Sequence, residues 1–165
     1  MTELGQRYQA IVEAIASAAV SANRDPNEVT LVVVTKNHPH QLVLDLLDLG
    51  ARDFGENRDQ EASPKAKQIA EESQEKFNWH FIGQLQTNKV KSVLEYAHLL
   101  HSLDRLSLLD ELQKRTLDRE VPLKVFVQVN LTEDPDRGGV NPGDLLGFSE
   151  RVLSSPGLEL VGLMG

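Results

Sequence analysis

The residue with the clearest chemical prospects is Lys36. It closes the run Leu31-Val32-Val33-Val34-Thr35-Lys36, and Asn37-His38-Pro39 follows it. A lysine drawn partly out of water gives up some proton affinity and can attack a carbonyl carbon. The alternative is a lysine that lays its methylenes along apolar surface and leaves its amine in water. The run by itself leaves both open. Other groupings are weaker. His101-Ser102-Leu103-Asp104 holds the residue types of a hydrolytic triad. Neighbouring strand residues point to opposite faces, however, so three this close cannot form a relay. His38-Pro39-His40 has no third ligand spaced to complete a metal site. Asp134-Pro135-Asp136-Arg137-Gly138-Gly139 begins as a calcium loop does but lacks the later bidentate glutamate, and reads as a loop over the site. Trp79 and Phe81 read as core.

The elements that must position Lys36 follow a regular pattern. A β-branched run without alternation predicts a strand covered on both faces, as in parallel sheets, and α/β proteins place working residues where such strands end. Before it, Leu4, Tyr8, Ile11, Val12, Ile15 and Ala19 form a helical stripe over 2–22, stopped by Asn23-Arg24-Asp25-Pro26-Asn27. After it come a helix over 41–49 with Gly50 as its cap, and a short strand over 51–54 ending in Gly55-Glu56-Asn57. The charged segment 59–75 reads as a helix interrupted near Pro64, its charges forming a solvated face. A third strand spans 79–82, and a polar turn over 83–88 leads into a helix through Tyr96. The fourth strand, 98–101, is closed by Ser102-Leu103-Asp104. Leu106, Leu109 and Leu112 mark the next helix, and the fifth strand, 124–129, ends at Asn130. Asn141-Pro142 reads as a capped helix start, and 158–163 is a sixth strand.

Regular βα alternation predicts a parallel sheet, either doubly wound or curled into a barrel. No Gly-x-Gly-x-x-Gly turn follows the first strand, and a polar residue or glycine stands at every strand end. That favours a (β/α) barrel of the TIM type, incomplete here with about six of eight strands.

The 165 residues are enough for one domain with a substantial core. Seventeen Lys and Arg against 25 Asp and Glu leave a formal charge of −8, which argues against nucleic acid as a partner. The absence of cysteine excludes disulfides and thiolate zinc sites. No signal peptide or membrane-spanning run is evident, so the expectation is a soluble, cytoplasmic protein without a membrane partner.

The separate stretches also combine. Val33-Val34-Thr35-Lys36, Phe54-Gly55-Glu56-Asn57-Arg58-Asp59-Gln60-Glu61 and Trp79-His80-Phe81-Ile82-Gly83-Gln84-Leu85-Gln86-Thr87-Asn88-Lys89 occur in that order. His101-Ser102-Leu103-Asp104, Val127-Gln128-Val129-Asn130 and Gly162-Leu163-Met164 follow. Together they closely resemble the pyridoxal-phosphate homeostasis protein family, from about Leu31 onward. The resemblance implies a barrel of the alanine racemase N-terminal-domain type. It implies that Lys36 forms the internal aldimine with pyridoxal 5′-phosphate (PLP) and that Asn57 sits beside the ring. His80, Ile82 and Gly83 would line the floor, and Ser102 and Asn130 the mouth by strand position.

Family members continue with two further strands, whose Met-Gly-Met-Ser-type and Arg-x-Gly segments hold the phosphate and the pyridine nitrogen. This sequence carries neither. The expectation is one barrel domain over 1–165, shortened at its C-terminal end, with unpaired edges open to self-association. The implied function is PLP binding on Lys36 in intracellular PLP homeostasis, with PLP-dependent apoenzymes as recipients and no conventional catalysis. The alternatives are a small PLP-dependent amino-acid racemase or lyase, and an inert fragment completed by a partner.

Overall fold

The computed structural model describes residues 2–134 and 137–165. Six strands occur among them: β1 (Val33–Val34), β2 (Asp53–Glu56), β3 (Asn78–Phe81), β4 (Leu99–Leu103), β5 (Leu123–Gln128) and β6 (Leu158–Met164). The helices are α1 (Glu3–Ser21), α2 (His40–Asp48), α3 (Asp59–Glu72), α4 (Val90–Val93), α5 (Leu106–Thr116) and α6 (Leu145–Leu153). All neighbouring strands are parallel, and the sheet runs β1-β2-β3-β4-β5-β6 in chain order. Sequential order is the winding of a barrel, because a doubly wound sheet reverses direction at a switch point. Among the described residues β1 and β6 do not meet, so the sheet is an open, incomplete barrel.

The helix-covered face supplies the core in two clusters. Phe54 and Trp79 of β2 and β3 pack with Val43, Leu46 and Leu47 of α2 and Ile69 of α3. Leu100, Val125, Val127 and Leu158 of β4–β6 pack with Leu108, Leu109 and Leu112 of α5 and Phe148 and Val152 of α6. The opposite face of the sheet forms the barrel lumen. Helix α2 ends as its glycine demands: Gly50 has φ +95°, Gly50 N–H donates to Leu47 O, and Ala51 N–H to Leu46 O.

Several elements differ from expectation. β1 has only two residues instead of six, and Val34 is 44% exposed, so the strand is not covered on both faces. It lies at an open edge, paired only with β2, and its lumen side has no wall opposite. α3 runs unbroken through Pro64, which is exposed and lacks only its own N–H, while Ala62, Lys65, Ala66 and Ile69 form a continuous buried stripe. The helix expected through Tyr96 is a 3₁₀ turn (Thr87–Lys89) and the four-residue α4, leaving Tyr96 in a turn. β4 extends to Leu103 and takes in Ser102. Asn141 precedes a 3₁₀ turn but makes no side-chain cap, so its backbone carbonyl takes the Asp144 N–H instead. Pro135 and Asp136 of the acidic loop lie outside the described residues.

Candidate functional site

The C-terminal ends of the strands share one end of the sheet, where Lys36, Asn57, Ile82, Gly83, Ser102 and Asn130 gather. Lys36 follows β1 in a turn closed by His38 N–H donating to Thr35 O at 3.2 Å. Asn37 occupies the left-handed region at φ 62°, a conformation that asparagine tolerates better than most residues. Strand alternation sends Val32, Val34 and Lys36 to the lumen and Thr35 to the helix side. Lys36 is exposed, and its amine has no hydrogen bond or ion pair among the described residues. The expected partial desolvation is therefore not provided by this open sheet.

Below Lys36 the lumen floor is closed by apolar side chains over Gly55. A Cβ on Gly55 would stand 3.2–3.3 Å from the side chains of Val32, Val34 and Ile82, so these three enclose a position with no side chain. Asn57, half-buried, ends the next strand over. Gly83 presses on it: a Cβ there would fall 2.2 Å from Asn57 O, so only glycine permits the two chain segments to touch. The Gly83 carbonyl in turn accepts the buried Ser102 hydroxyl at 2.6 Å. Ser102 thus holds the Gly83 turn in place. Asn130 acts likewise on its own loop. Its Oδ1 accepts from Thr132 N (2.9 Å) and Thr132 Oγ1 (2.7 Å), and its Nδ2 donates to Asp134 O (2.8 Å) and Arg137 O (3.2 Å).

His80 lies one step deeper, in register with Gly55 and Leu99. Its ring bridges Asp53 Oδ1 (Nε2, 2.9 Å) and His101 Nε2 (Nδ1, 2.8 Å), and His101 stacks on Phe126 with ring centroids 4.4 Å apart. Burial, and then the charge of His80, push His101 down to about 4. Its imidazole is therefore neutral at pH 7. His101, Ser102 and Asp104 make three separate sets of contacts and no relay, since Asp104 pairs with Arg105 at 2.7 Å.

Across the sheet from Lys36 lies a cluster that reading the sequence missed. Glu56 is fully buried, and its Oε1 accepts from Lys65 Nζ (2.5 Å) and Thr35 Oγ1 (2.8 Å). Lys65 Nζ also donates to Thr35 O at 2.9 Å. The signal was the apolar stripe of α3: a lysine at 65, between Ala62 and Ile69, occupies the inward face. Nearby, Asp59 accepts from Ser92 Oγ (2.9 Å) and Tyr96 Oη (3.4 Å), and burial with the Asp59 charge raises the Tyr96 phenol well above its usual range.

Two cavities flank this arrangement. One of about 130 Å³ lies between the loops after β2 and β3 and is lined by Asn57, Arg58, Gln84, Gln86 and Lys89 among others. A larger one, about 820 Å³, is lined by Arg52, Phe77, Asn78, Trp79 and Tyr96, where β2 and β3 begin. That is the end of a β/α barrel that serves stability, whereas sites form where strands end. The smaller cavity stands at the strand-end side but shares only Asn57 with the candidate residues, so neither cavity by itself defines the site.

The model of the family described as "Alanine racemase, N-terminal domain" matches residues 7–165. The pyridoxal phosphate homeostasis protein of Mycobacterium leprae is 39% identical over 179 aligned residues, covering 99% of this chain and 70% of the relative. That of Pseudomonas aeruginosa is 37% identical over 164 aligned residues, with the same coverage. The structure of PipY from Synechococcus elongatus with PLP bound superposes with a TM-score of 0.77 at 31% identity, covering 93% of this chain and 69% of PipY. Six sequential parallel strands, a lysine at the first strand end and these likenesses agree: the chain belongs to the alanine racemase N-terminal-domain family, alongside the pyridoxal phosphate homeostasis proteins.

Proposed function

We propose that this chain binds PLP through Lys36 and serves PLP homeostasis in the cytoplasm, holding the cofactor for PLP-dependent apoenzymes. The observation that carries this reading is the exposed Lys36 amine at a strand end, without a partner among the described residues, above an apolar floor that Val32, Val34 and Ile82 form over Gly55. When bound, PLP supplies an aldehyde whose carbon a neutral amine can attack with loss of water. Lys36 provides that amine. Val32, Val34 and Ile82, packed over Gly55, offer an apolar surface to a planar ring, and Asn57 offers a neutral amide for a ring oxygen without adding charge. Gly83 and Ser102 keep Asn57 in place, and the Asp53–His80–His101 chain ties β2, β3 and β4 together one step deeper. The likeness to PipY, whose structure has PLP bound, supports the same ligand here.

Racemase-type chemistry needs a second acid/base group facing the lysine. Both tyrosines, Tyr8 and Tyr96, pack on the helix side of the sheet. The lumen imidazole of His101, pushed down to about 4, is a poor proton donor at neutral pH. A carrier fits better than a catalyst. Val34 at one open edge (44% exposed) and Leu163 at the other (56%) add self-association to the proposal.

The test is a PLP titration of the parent and Lys36→Ala, followed by visible absorbance and dialysis, with amino-acid α-proton exchange assayed in heavy water. The parent should bind PLP and exchange no protons. Equal binding by Lys36→Ala would overturn the reading.

A further inference from the structure

The position of Lys36 is set from the far side of the sheet. The carbonyl just before it, Thr35 O, accepts from Lys65 Nζ at 2.9 Å. The amide just after it, Asn37 N–H, donates to Glu61 Oε2 at 3.1 Å. Glu61 and Lys65 are four residues apart on α3 and so share one helix face. A single turn of that helix therefore touches the chain on both sides of Lys36. Glu56 completes the arrangement, tying Lys65 and the Thr35 hydroxyl through one oxygen, while its Oε2 is buried without a hydrogen-bond partner among the described residues.

Two features point beyond stability. A buried pair is seldom the most stabilising occupant of its volume, and one that leaves an oxygen orphaned is less so. Asn37 at φ 62° is a left-handed residue, which persists where its surroundings over-determine it and concentrates at functional sites.

We propose that Glu61, Lys65 and Glu56 are positioning residues for Lys36, clamping its two flanking peptide groups so that the amine is aimed into the lumen. The clamp rests on the PLP reading for its purpose, but its existence can be tested without PLP. Without the clamp the turn samples other conformations, and the amine spends less time where an aldehyde can be attacked.

The experiment compares the parent with Glu61→Ala, Glu61→Gln, Lys65→Met and Ile69→Ala. Amide hydrogen exchange without PLP comes first. Glu61→Ala should speed exchange at Asn37 and His38 about tenfold or more, with most of the protection restored in Glu61→Gln. PLP capture, followed by absorbance, should then be about three- to tenfold weaker in Glu61→Ala and weaker still in Lys65→Met. Ile69→Ala loosens α3 without touching the clamp, so it should lower the thermal midpoint and leave capture by the folded protein unchanged. Should Lys65→Met fail to fold, the partly exposed Glu61 carries the test. Parent-like exchange at Asn37 in Glu61→Ala would disprove the clamp. Faster exchange with unchanged capture would disprove its positioning role. A parent that takes no PLP on Lys36 would instead sink the functional reading, while the exchange result still decides the clamp.

Discussion

Lys36 and Lys65 stand on opposite sides of one strand end and have opposite fates. The Lys65 side chain is 7% exposed and donates to Glu56 and to the Thr35 carbonyl. Both contacts engage N–H donors, so its amine is tied in place on the helix side of the sheet. Lys36 is exposed with no partner among the described residues. Strand alternation makes the difference: Thr35 and Glu56 turn toward α3 and recruit a lysine as a strut, whereas Lys36 turns toward the lumen and stays free. One side of the sheet is tied by buried hydrogen bonds, and the other carries an amine without a partner among the described residues.

The largest expected effect breaks the rigid side. Lys65→Ala leaves Glu56 buried and unpaired, which should destabilise by about 3–5 kcal/mol in urea unfolding, whereas Lys36→Ala should stay within about 0.5 kcal/mol of the parent. Replacing the pair together, Glu56→Leu with Lys65→Met, should recover much of the stability but not the PLP capture. Equal losses for Lys65→Ala and Lys36→Ala would erase the contrast between the two lysines.

Next comes the contact between strand ends. Gly83→Ala places a methyl 2.2 Å from Asn57 O, against backbone that cannot swing away. Overpacking of this kind costs about 1–3 kcal/mol, and PLP affinity should fall with it. At Gly55 the neighbours are side-chain ends at 3.2–3.3 Å. Gly55→Ala should therefore cost less than about 1 kcal/mol of stability yet still weaken PLP binding, because the methyl displaces the Val32, Val34 and Ile82 side chains that form the floor. If Gly55→Ala binds PLP as well as the parent, the floor lies elsewhere.

A smaller effect is expected at Asn57. A neutral hydrogen bond contributes about 0.5–1.5 kcal/mol, so Asn57→Ala should lose affinity several-fold and change the visible spectrum without abolishing capture. Parent-like affinity and spectrum would remove Asn57 from the site.

The smallest effect is one of pH. Burial and His80 lower His101 from 6.5 to about 4, and burial, then Arg119 and His80, also lowers His98. The folded value lies below the unfolded one. The stability from a neutral His101 is then complete above about 6.5 and is lost as pH falls toward about 4. The thermal midpoint should drop across that window less steeply in His101→Gln than in the parent, with His98 accounting for the remainder. Identical slopes would mean that His101 is not held neutral.

Much of this fold was legible because apolar β-branched runs and polar strand ends are local signals. All six strands and the position of Lys36 followed from them, as did the barrel from the missing dinucleotide turn. What escaped depended on pairing across the sheet. β1 is short because only Val33 and Val34 find partners, Phe54 and Gly55, and no composition rule limits a strand to its neighbour's reach. Lys65 was hidden in a charged segment that reads as solvated, although its spacing from Ala62 and Ile69 turns it inward. The sequence sets His101 beside Ser102 and Asp104, while its partner is His80 on the adjacent strand. The spacing before Tyr96 predicts a helix that a 3₁₀ turn and four residues replace.

The most direct measurement is covalent. PLP is added to the parent, the product is reduced with borohydride, and the labelled peptide is mapped. The label should fall on Lys36, absent from Lys65, Lys89 and Lys124, because Lys36 alone of these combines a free amine with the strand end beside Asn57. Label mainly on any of the other three would contradict the assignment, and label on Lys65 would reverse the comparison between the two sides of the sheet.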